Sequence, residues 1–260
     1  MNNSKISNAF RDKKAFVAYI MAGDPSLEKT REYVLALERA GADVIELGIP
    51  FSDPIAEGGT IQAANLRAFQ SNTTIEGIFE TALSLRGEVR VPLLFMTYLN
   101  PVFAYGYDAF FARCAECGIS GIIIPDLPFD ESDEVREFTT RHGIELISLI
   151  APTSRERTQR IAKGAEGFVY LVSSLGVTGA RSEITTDIGA LVDSVREHTD
   201  IPIAVGFGVH SPRQAAEIWK RADGVIVGSA IVSIIAEHGA GAGEHIEKYV
   251  RDMTKPPRGI

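Results

Sequence analysis

Apolar runs of strand length alternate along the chain with segments of helical periodicity. The runs are almost continuously apolar, and amphipathic segments such as LEKTREYVLALERAGA and SPRQAAEIWKRA lie between them. Parallel strands covered by helices on both faces have this composition, because neither face of the sheet meets water. The predicted strands are residues 16–22, 43–49, 91–98, 121–126, 145–151, 167–173, 201–207 and 223–229.

Eight consecutive strand–helix units predict an α/β fold, a (β/α)8 TIM barrel that forms a single domain over residues 1–260. An amino-terminal helix is expected over residues 1–15 and a frayed tail over residues 251–260. A doubly wound open sheet is the alternative architecture. That fold usually carries a GxGxxG turn after its first strand, whereas the first predicted strand here ends in AGDPS.

Composition and charge limit the classes of partner. The formal net charge is −8 and no segment concentrates Lys and Arg, so a nucleic-acid partner is not expected. No run reaches the roughly 18 apolar residues of a membrane span, and the first residues lack an apolar signal core. We therefore expect no membrane association and a cytoplasmic location. Cys114 and Cys117, in RCAEC, are interpreted as packing residues of a helix rather than metal ligands.

Glu46 is the leading catalytic candidate. The active site of a barrel lies at the carboxyl ends of its strands, and strand alternation puts Val44, Glu46 and Gly48 on one face of VIELGI. If the bulky aliphatic residues face the helices, Glu46 points into the barrel, where burial should raise its pKa toward the range of a general acid. A structural ion pair is the alternative. The loop PFSDPIAEGG adds Asp53 and Glu57, for which solvated surface charges are the alternative.

Three glycine-rich turns follow the last three predicted strands: LGVTG (175–179), VGFGV (205–209) and VGSAI (227–231). Glycines let backbone N–H groups approach an anion, and a helix that starts after Gly228 and Ser229 would favour phosphate. The turns contain no Lys or Arg, so backbone amides are expected to make the contacts. Tight turns without a ligand are the alternative.

The placement of lysines and histidines narrows the chemistry. All eight lysines lie outside the predicted strands, which disfavours a Schiff-base aldolase. Only His210 lies just beyond the carboxyl end of a strand, so no metal site is expected. Acid–base chemistry on a phosphorylated substrate remains. Tyr19, Tyr98, Tyr170 and Phe207 are candidates for an aromatic wall, with core packing as the alternative.

The motifs ELGIPFSDPIAEG, PDLP, YLVSSLGVTGA, GFGV and GSAIV resemble, in this order, those of the tryptophan synthase alpha subunit. The resemblance covers essentially the whole chain. It implies retro-aldol cleavage of indole-3-glycerol phosphate to indole and glyceraldehyde 3-phosphate. It also implies a β subunit as partner in an α2β2 tetramer, with pyridoxal phosphate on the β subunit and no cofactor on this chain.

The resemblance also implies roles for individual residues. Glu46 matches the glutamate that protonates the indole ring at C3. Glu57 stands where well-studied members have an aspartate that interacts with the indole N–H, and Thr178 resembles a threonine that bonds this second carboxylate when a lid closes. The implied phosphate contacts are Gly179, Phe207, Gly208, Gly228 and Ser229, and the implied indole pocket is Tyr19, Tyr98, Ile123, Tyr170 and Phe207.

Three alternatives remain open at this stage. Another phosphate-binding barrel, such as a sugar-phosphate isomerase, would share the glycine turns. A stand-alone lyase would release free indole without a β partner. A catalytically silent barrel would be expected to lack Glu46, which is present.

Overall fold

The computed structural model describes residues 4–151, 155–172, 188–206 and 208–255. Within these ranges the chain forms nine strands, and each of them overlaps one of the predicted runs. The strands are β1 (Ala15–Met21), β2 (Val44–Gly48), β3 (Leu93–Met96), β4 (Gly121–Ile123), β5 (Glu145–Leu146), β6 (Ser148–Ile150), β7 (Val169–Val172), β8 (Ile203–Gly206) and β9 (Gly224–Val227).

Helices connect successive strands and form the outer layer. The described helices are α1 (Lys5–Asn8), α2 (Leu27–Arg39), α3 (Gly59–Gln70), α4 (Ile75–Leu85), α5 (Leu99–Tyr105), α6 (Tyr107–Cys117), α7 (Asp133–His142), α8 (Arg155–Lys163), α9 (Ile188–Arg196), α10 (Pro212–Trp219), α11 (Ser229–His238) and α12 (Gly243–Thr254). None of the described helices has the length and apolar content needed to cross a membrane.

All pairs of the described strands are parallel, in the order β5-β4-β3-β2-β1-β9-β8-β7-β6. The two outermost strands, β5 and β6, are halves of one predicted strand and flank Ile147. The first half pairs with β4 and the second with β7, so the nine strands occupy eight positions around a barrel. The Ile147 N–H still donates to the Ile122 carbonyl (2.9 Å). The predicted single-domain (β/α)8 barrel is confirmed.

The two faces of the strands pack into separate cores. Ile45 and Leu47 of β2 belong to the large apolar core between the barrel and the helices. Val44 belongs to a second core inside the barrel, together with Val17 and Ile226. Glu46 has the same parity as Val44, so the predicted inward orientation of Glu46 is confirmed.

Both predicted chain ends need correction. Among the described residues, the amino-terminal helix comprises Lys5–Asn8 and does not extend to residue 15, because the chain turns after it and Ala15 already belongs to β1. The predicted tail does not begin at residue 251, since α12 continues to Thr254 and Met253 is fully buried. Residues 256–260 lie outside the described part of the chain.

Helix α3, which follows the loop after β2, is tied to the loop after β1 by an ion pair. Arg67 donates through Nε and Nη2 to the two carboxylate oxygens of Asp24, at 2.8 and 2.7 Å. Asp24 is only 1% exposed, so this bidentate pair is largely withdrawn from water. The pair fixes α3 against the carboxyl end of β1.

The two cysteines lie in the outer core. Cys114 and Cys117 are free thiols buried on α6, and the Cys117 thiol donates to the Phe79 carbonyl. This placement agrees with their interpretation as packing residues.

Candidate active site

Glu46 lies inside the barrel, where β2 pairs with Tyr19 of β1 and Leu94 of β3. Its side chain is fully buried, and neither carboxylate oxygen has a hydrogen-bond partner among the described residues. Burial raises the pKa of Glu46 from 4.5 to about 8, because a charged carboxylate would lose its hydration. Glu46 is therefore protonated at neutral pH and available as an acid.

Glu57 follows β2 in the loop that leads to α3, and it is only 7% exposed. Asn65 of α3 donates through Nδ2 to Glu57 Oε2 (2.5 Å), and Gln62 Nε2 donates to the Glu57 carbonyl (2.8 Å). Burial raises the pKa of Glu57 to about 7, and the hydrogen bond from Asn65 opposes this rise. As the pH rises, Glu57 thus ionises before Glu46.

The two carboxylates line one cavity at the carboxyl ends of the strands, with a volume of about 580 Å³ that includes its open mouth. Seven residues expected from the sequence line this cavity: Tyr19, Glu46, Glu57, Tyr170, Gly208, Gly228 and Ser229. Six further lining residues were not expected as site residues: Ile61, Met96, Val209, His210, Ile226 and Ala230.

Glycines at the strand ends make room for the two tyrosines. A Cβ atom at Gly48 would lie 2.2 Å from the Tyr19 hydroxyl oxygen, and one at Gly206 would lie 2.6 Å from Tyr170 Cε1. Burial raises the pKa of both tyrosines, and the neighbouring Glu46 carboxylate adds to the effect. Both hydroxyls are therefore neutral hydrogen-bonding groups in the cavity wall.

Two other residues of the expected indole pocket do not line the cavity. The Tyr98 hydroxyl accepts the N–H of Ala56 (3.0 Å), and its ring lies 5.2 Å from that of Phe51 between centroids. Tyr98 thus supports the loop that carries Glu57. Ile123 is buried in the core inside the barrel. Three more expected residues lie outside the described part of the chain: Thr178, Gly179 and Phe207.

One end of the cavity is suited to an anion. Gly228 is the N-cap of α11, and it offers no side chain to satisfy the N–H groups of the first turn. Gly208 adopts a φ of +81°, a conformation that favours glycine. The described lining contains no Lys or Arg. Backbone amides and the helix end thus supply the positive potential there.

Asn65, the hydrogen-bond partner of Glu57, and His210, which lines the cavity, are not expected at the site from the sequence analysis, although the sequence carries a signal for Asn65. Asn65 shares the buried stripe of α3 with Ile61 and Ala68, and a polar residue on an apolar helix face indicates a specific partner. The position of His210 just after a predicted strand bears, in the sequence analysis, only on a possible metal site. In the described residues, no group of three or more His, Cys, Asp or Glu side chains is arranged to hold a metal ion.

Comparison with known proteins gives a consistent result. The sequence model of the family described as tryptophan synthase alpha chain matches residues 6–256. The chain is 47% identical over 250 residues to the tryptophan synthase alpha chain of Lacticaseibacillus casei, covering 96% of this chain and 94% of the relative. It is 50% identical over 254 residues to that of Lactiplantibacillus plantarum, covering 97% and 94%.

Solved structures give the same picture. A tryptophan synthase from Mycobacterium tuberculosis is similar with a TM-score of 0.88 and 34% identity, covering 98% of both chains. A tryptophan synthase complex from Pyrococcus furiosus is similar with a TM-score of 0.87 and 36% identity, covering 93% of this chain and 98% of the other.

Proposed function

The chain belongs to the family of tryptophan synthase alpha chains, lyases that cleave indole-3-glycerol phosphate in tryptophan biosynthesis, and we propose that Glu46 and Glu57 are its catalytic residues. One observation carries this assignment. Two buried carboxylates line a single cavity, and their pKa values are separated, at about 8 and about 7. Separated pKa values allow Glu46 to stay protonated as the acid while Glu57 is ionised and can accept a hydrogen bond.

Glu46 is the proton donor in this proposal. It is protonated at pH 7, and no described group competes for its carboxyl oxygens. Transfer of its proton to C3 of the indole ring gives C3 a fourth single bond and moves positive charge onto the ring nitrogen. The bond between C3 and the glycerol chain can then break, because the ring can accept its electron pair.

Glu57 stabilises the charged intermediate. Its carboxylate accepts the indole N–H as positive charge develops there, in an environment where charges interact more strongly than in water. The glycerol hydroxyl next to the breaking bond then loses its proton to the Glu46 carboxylate, and its electron pair forms the aldehyde. The carbon–carbon bond breaks and the ring becomes aromatic again. One proton has moved from hydroxyl to carbon, and Glu46 is restored to its protonated form.

The rest of the cavity would bind and orient the substrate. We assign the phosphate to the amides around Gly208, Gly228 and Ser229, and the indole ring to the wall that includes Tyr19 and Tyr170. The family resemblance adds five residues to this proposal. Tyr98 and Ile123 do not line the cavity in the structure, and Thr178, Gly179 and Phe207 lie outside the described residues.

An assay that follows indole and glyceraldehyde 3-phosphate together tests the proposal. The wild-type chain should release both products in equal amounts. Glu46→Gln should lose about 100-fold or more in turnover, since it lacks the donor. Glu57→Asp should keep measurable activity and Glu57→Ala should lose most of it. Asp53→Asn, at an exposed position of the same loop, is the control. Near-normal turnover by folded Glu46→Gln would refute the assignment.

We also propose a β subunit as partner, in an α2β2 tetramer, with pyridoxal phosphate bound only by the β subunit. Large apolar side chains are exposed in the segments that follow β2 and β3, with Ile55 at 75% and Phe103 at 64%. Such side chains are typical of a surface that a partner covers. Calorimetry with the β subunit, paired with the cleavage assay, tests both docking and activation. No association would favour the stand-alone lyase. The cytoplasmic location stays a prediction.

A further inference from the structure

His210 lines the same cavity as the two carboxylates and the glycine turns. It follows β8 by four residues, directly after the turn that Gly208 makes with its positive φ. The family resemblance implies that Gly208 and its neighbours contact the substrate phosphate at this end of the cavity. His210 thus brings a titratable side chain to a cavity wall whose described residues include no Lys or Arg.

Three hydrogen bonds hold His210 in place. Its N–H donates to Gln214 Oε1 (3.0 Å), which belongs to the capping box at the start of α10. Its carbonyl accepts the Tyr249 hydroxyl (2.9 Å) from α12. Its ring nitrogen Nδ1 lies 2.8 Å from the Gly208 carbonyl oxygen. His210 is therefore fixed at the end of the cavity that contains Gly208 before any ligand binds. This lowers the entropic cost of a contact between His210 and a ligand.

The contact with Gly208 determines which ring nitrogen carries a proton. A carbonyl oxygen can only accept a hydrogen bond, so Nδ1 must carry the proton. In the neutral ring, Nε2 is then a bare acceptor and would repel a phosphate oxygen. Nε2 can donate to phosphate only when the ring is the doubly protonated cation. Binding of phosphate to His210 therefore requires uptake of a proton.

The described charged groups around His210 do not neutralise a protonated His210 ring, so a bound phosphate would be its counter-ion. No carboxylate of the described residues forms an ion pair with His210 within 4.0 Å. On α10, Arg213 and Glu217 are exposed, and on α12 the contacting residue is the neutral Tyr249. Ser229 and Ala230 at the start of α11 carry no charge. The titratable groups that share the cavity with His210 are Tyr19, Glu46, Glu57 and Tyr170.

We propose that His210 is a cationic ligand of the substrate phosphate and that it takes up a proton as the phosphate binds. This inference rests on the proposed function, because the phosphate is that of the substrate cleaved in this cavity. It adds a charged side chain to a site otherwise formed by backbone amides. Because Nε2 can donate to phosphate only in the doubly protonated ring, phosphate affinity should depend on pH.

Isothermal titration calorimetry of the full chain with inorganic phosphate and with glycerol 3-phosphate tests the proposal. Titrations at pH 6.5 and 8.5, in two buffers of different ionisation enthalpy, give both the affinity and the number of protons taken up. His210→Asn keeps a donor near the Gly208 carbonyl but removes the charge. His210→Gln has a longer side chain than His210→Asn, and its amide is also a neutral hydrogen-bond donor. His142→Gln, on α7 outside the cavity, is the matched control.

At pH 6.5 we expect His210→Asn to bind phosphate about 10-fold more weakly than wild type, as for loss of a charge-assisted hydrogen bond. The difference in affinity should shrink at pH 8.5. Wild type and the control His142→Gln should take up more protons on binding phosphate than the two His210 variants do. The phosphate's own protonation and the titration of Glu46 and Glu57 are common to all proteins, so the differences isolate His210.

Equal affinity and equal proton uptake in wild type and both His210 variants would overturn the inference. A loss of affinity of the same size at both pH values would also overturn it, because it would indicate a structural effect. Failure of the proposed function is seen separately, as absence of indole from the wild-type chain. Wild-type cleavage combined with unchanged phosphate binding in the variants would refute the role of His210 alone.

Discussion

The hydrogen bond from Asn65 to Glu57 should determine how activity depends on pH. Asn65→Leu removes the donor at nearly constant volume. A hydrogen bond to a charged group contributes about 1.5–3 kcal/mol, and 1.36 kcal/mol corresponds to one pKa unit, so the pKa of Glu57 should rise by roughly 1–2 units. From its value of about 7 it would pass that of Glu46, at about 8.

The size of the effect follows from the fraction of enzyme with Glu57 ionised and Glu46 protonated. For pKa values of about 7 and 8 this fraction is about 45% at pH 7, and a rise of the Glu57 pKa to about 8.5 lowers it to about 3%. Activity at pH 7 should therefore fall roughly 15-fold. Near pH 8.2 the same arithmetic gives only about a threefold loss.

The assay is kcat/KM for indole release between pH 6 and 9, with the free energy of unfolding measured by urea at each pH. Asn65 also accepts the Phe51 N–H (2.9 Å), and loss of this bond should lower activity by the same factor at every pH. The pH dependence of the ratio between wild type and variant therefore isolates the effect on Glu57. A ratio that is constant from pH 6 to 9 would refute the reasoning.

Three further predictions concern neighbouring features. Because burial raises the pKa of Glu46 from 4.5 to about 8, wild type should lose stability as pH rises through this window, so Glu46→Gln should be several kcal/mol more stable to urea at pH 8.5 and equal at pH 4.5. Stability differences that do not change with pH would contradict this. Gly48→Ala should displace the Tyr19 ring and raise KM. A second substitution, Tyr19→Phe, removes the clashing hydroxyl and should restore part of the loss. If it does not, the effect of Gly48→Ala has another cause. Phe103→Asp should weaken binding of a β subunit in calorimetry while leaving cleavage by the isolated chain unchanged, and unaltered binding would exclude this surface.

Much of the barrel could be predicted because its strands are apolar on both faces and its helices are amphipathic. The position of Glu46 followed from alternation alone, since Ile45 and Leu47 had to face the helices. The division of the fifth strand could not be predicted, because ELISLIA is uniformly suited to a strand. The extent of α1 was also missed, because a polar segment before a strand does not indicate where a helix ends.

Several features of the site depend on long-range contacts that the sequence does not reveal. The partner of Glu57, Asn65, lies eight residues away on a helix, and no local pattern joins the two. The Tyr98 hydroxyl accepts a hydrogen bond from the backbone of the neighbouring loop, a contact that the sequence does not reveal, and its role toward the indole ring stays a prediction. Roles for Thr178 and Phe207 stay predictions.

The ion pair between Arg67 and Asp24 gives α3 a role in the kinetics of loop opening. Glu57 lies on an irregular loop, whereas its partner Asn65 lies on a helix fixed to the turn after β1. If the loop opens locally, α3 stays in position because of this ion pair. When the loop closes again, Glu57 can accept the same hydrogen bond from Asn65. We therefore expect the amide hydrogens of the loop to exchange faster than those of α3. If Glu57 acts as proposed, substrate can enter repeatedly while the hydrogen bond that positions its carboxylate re-forms in the same geometry.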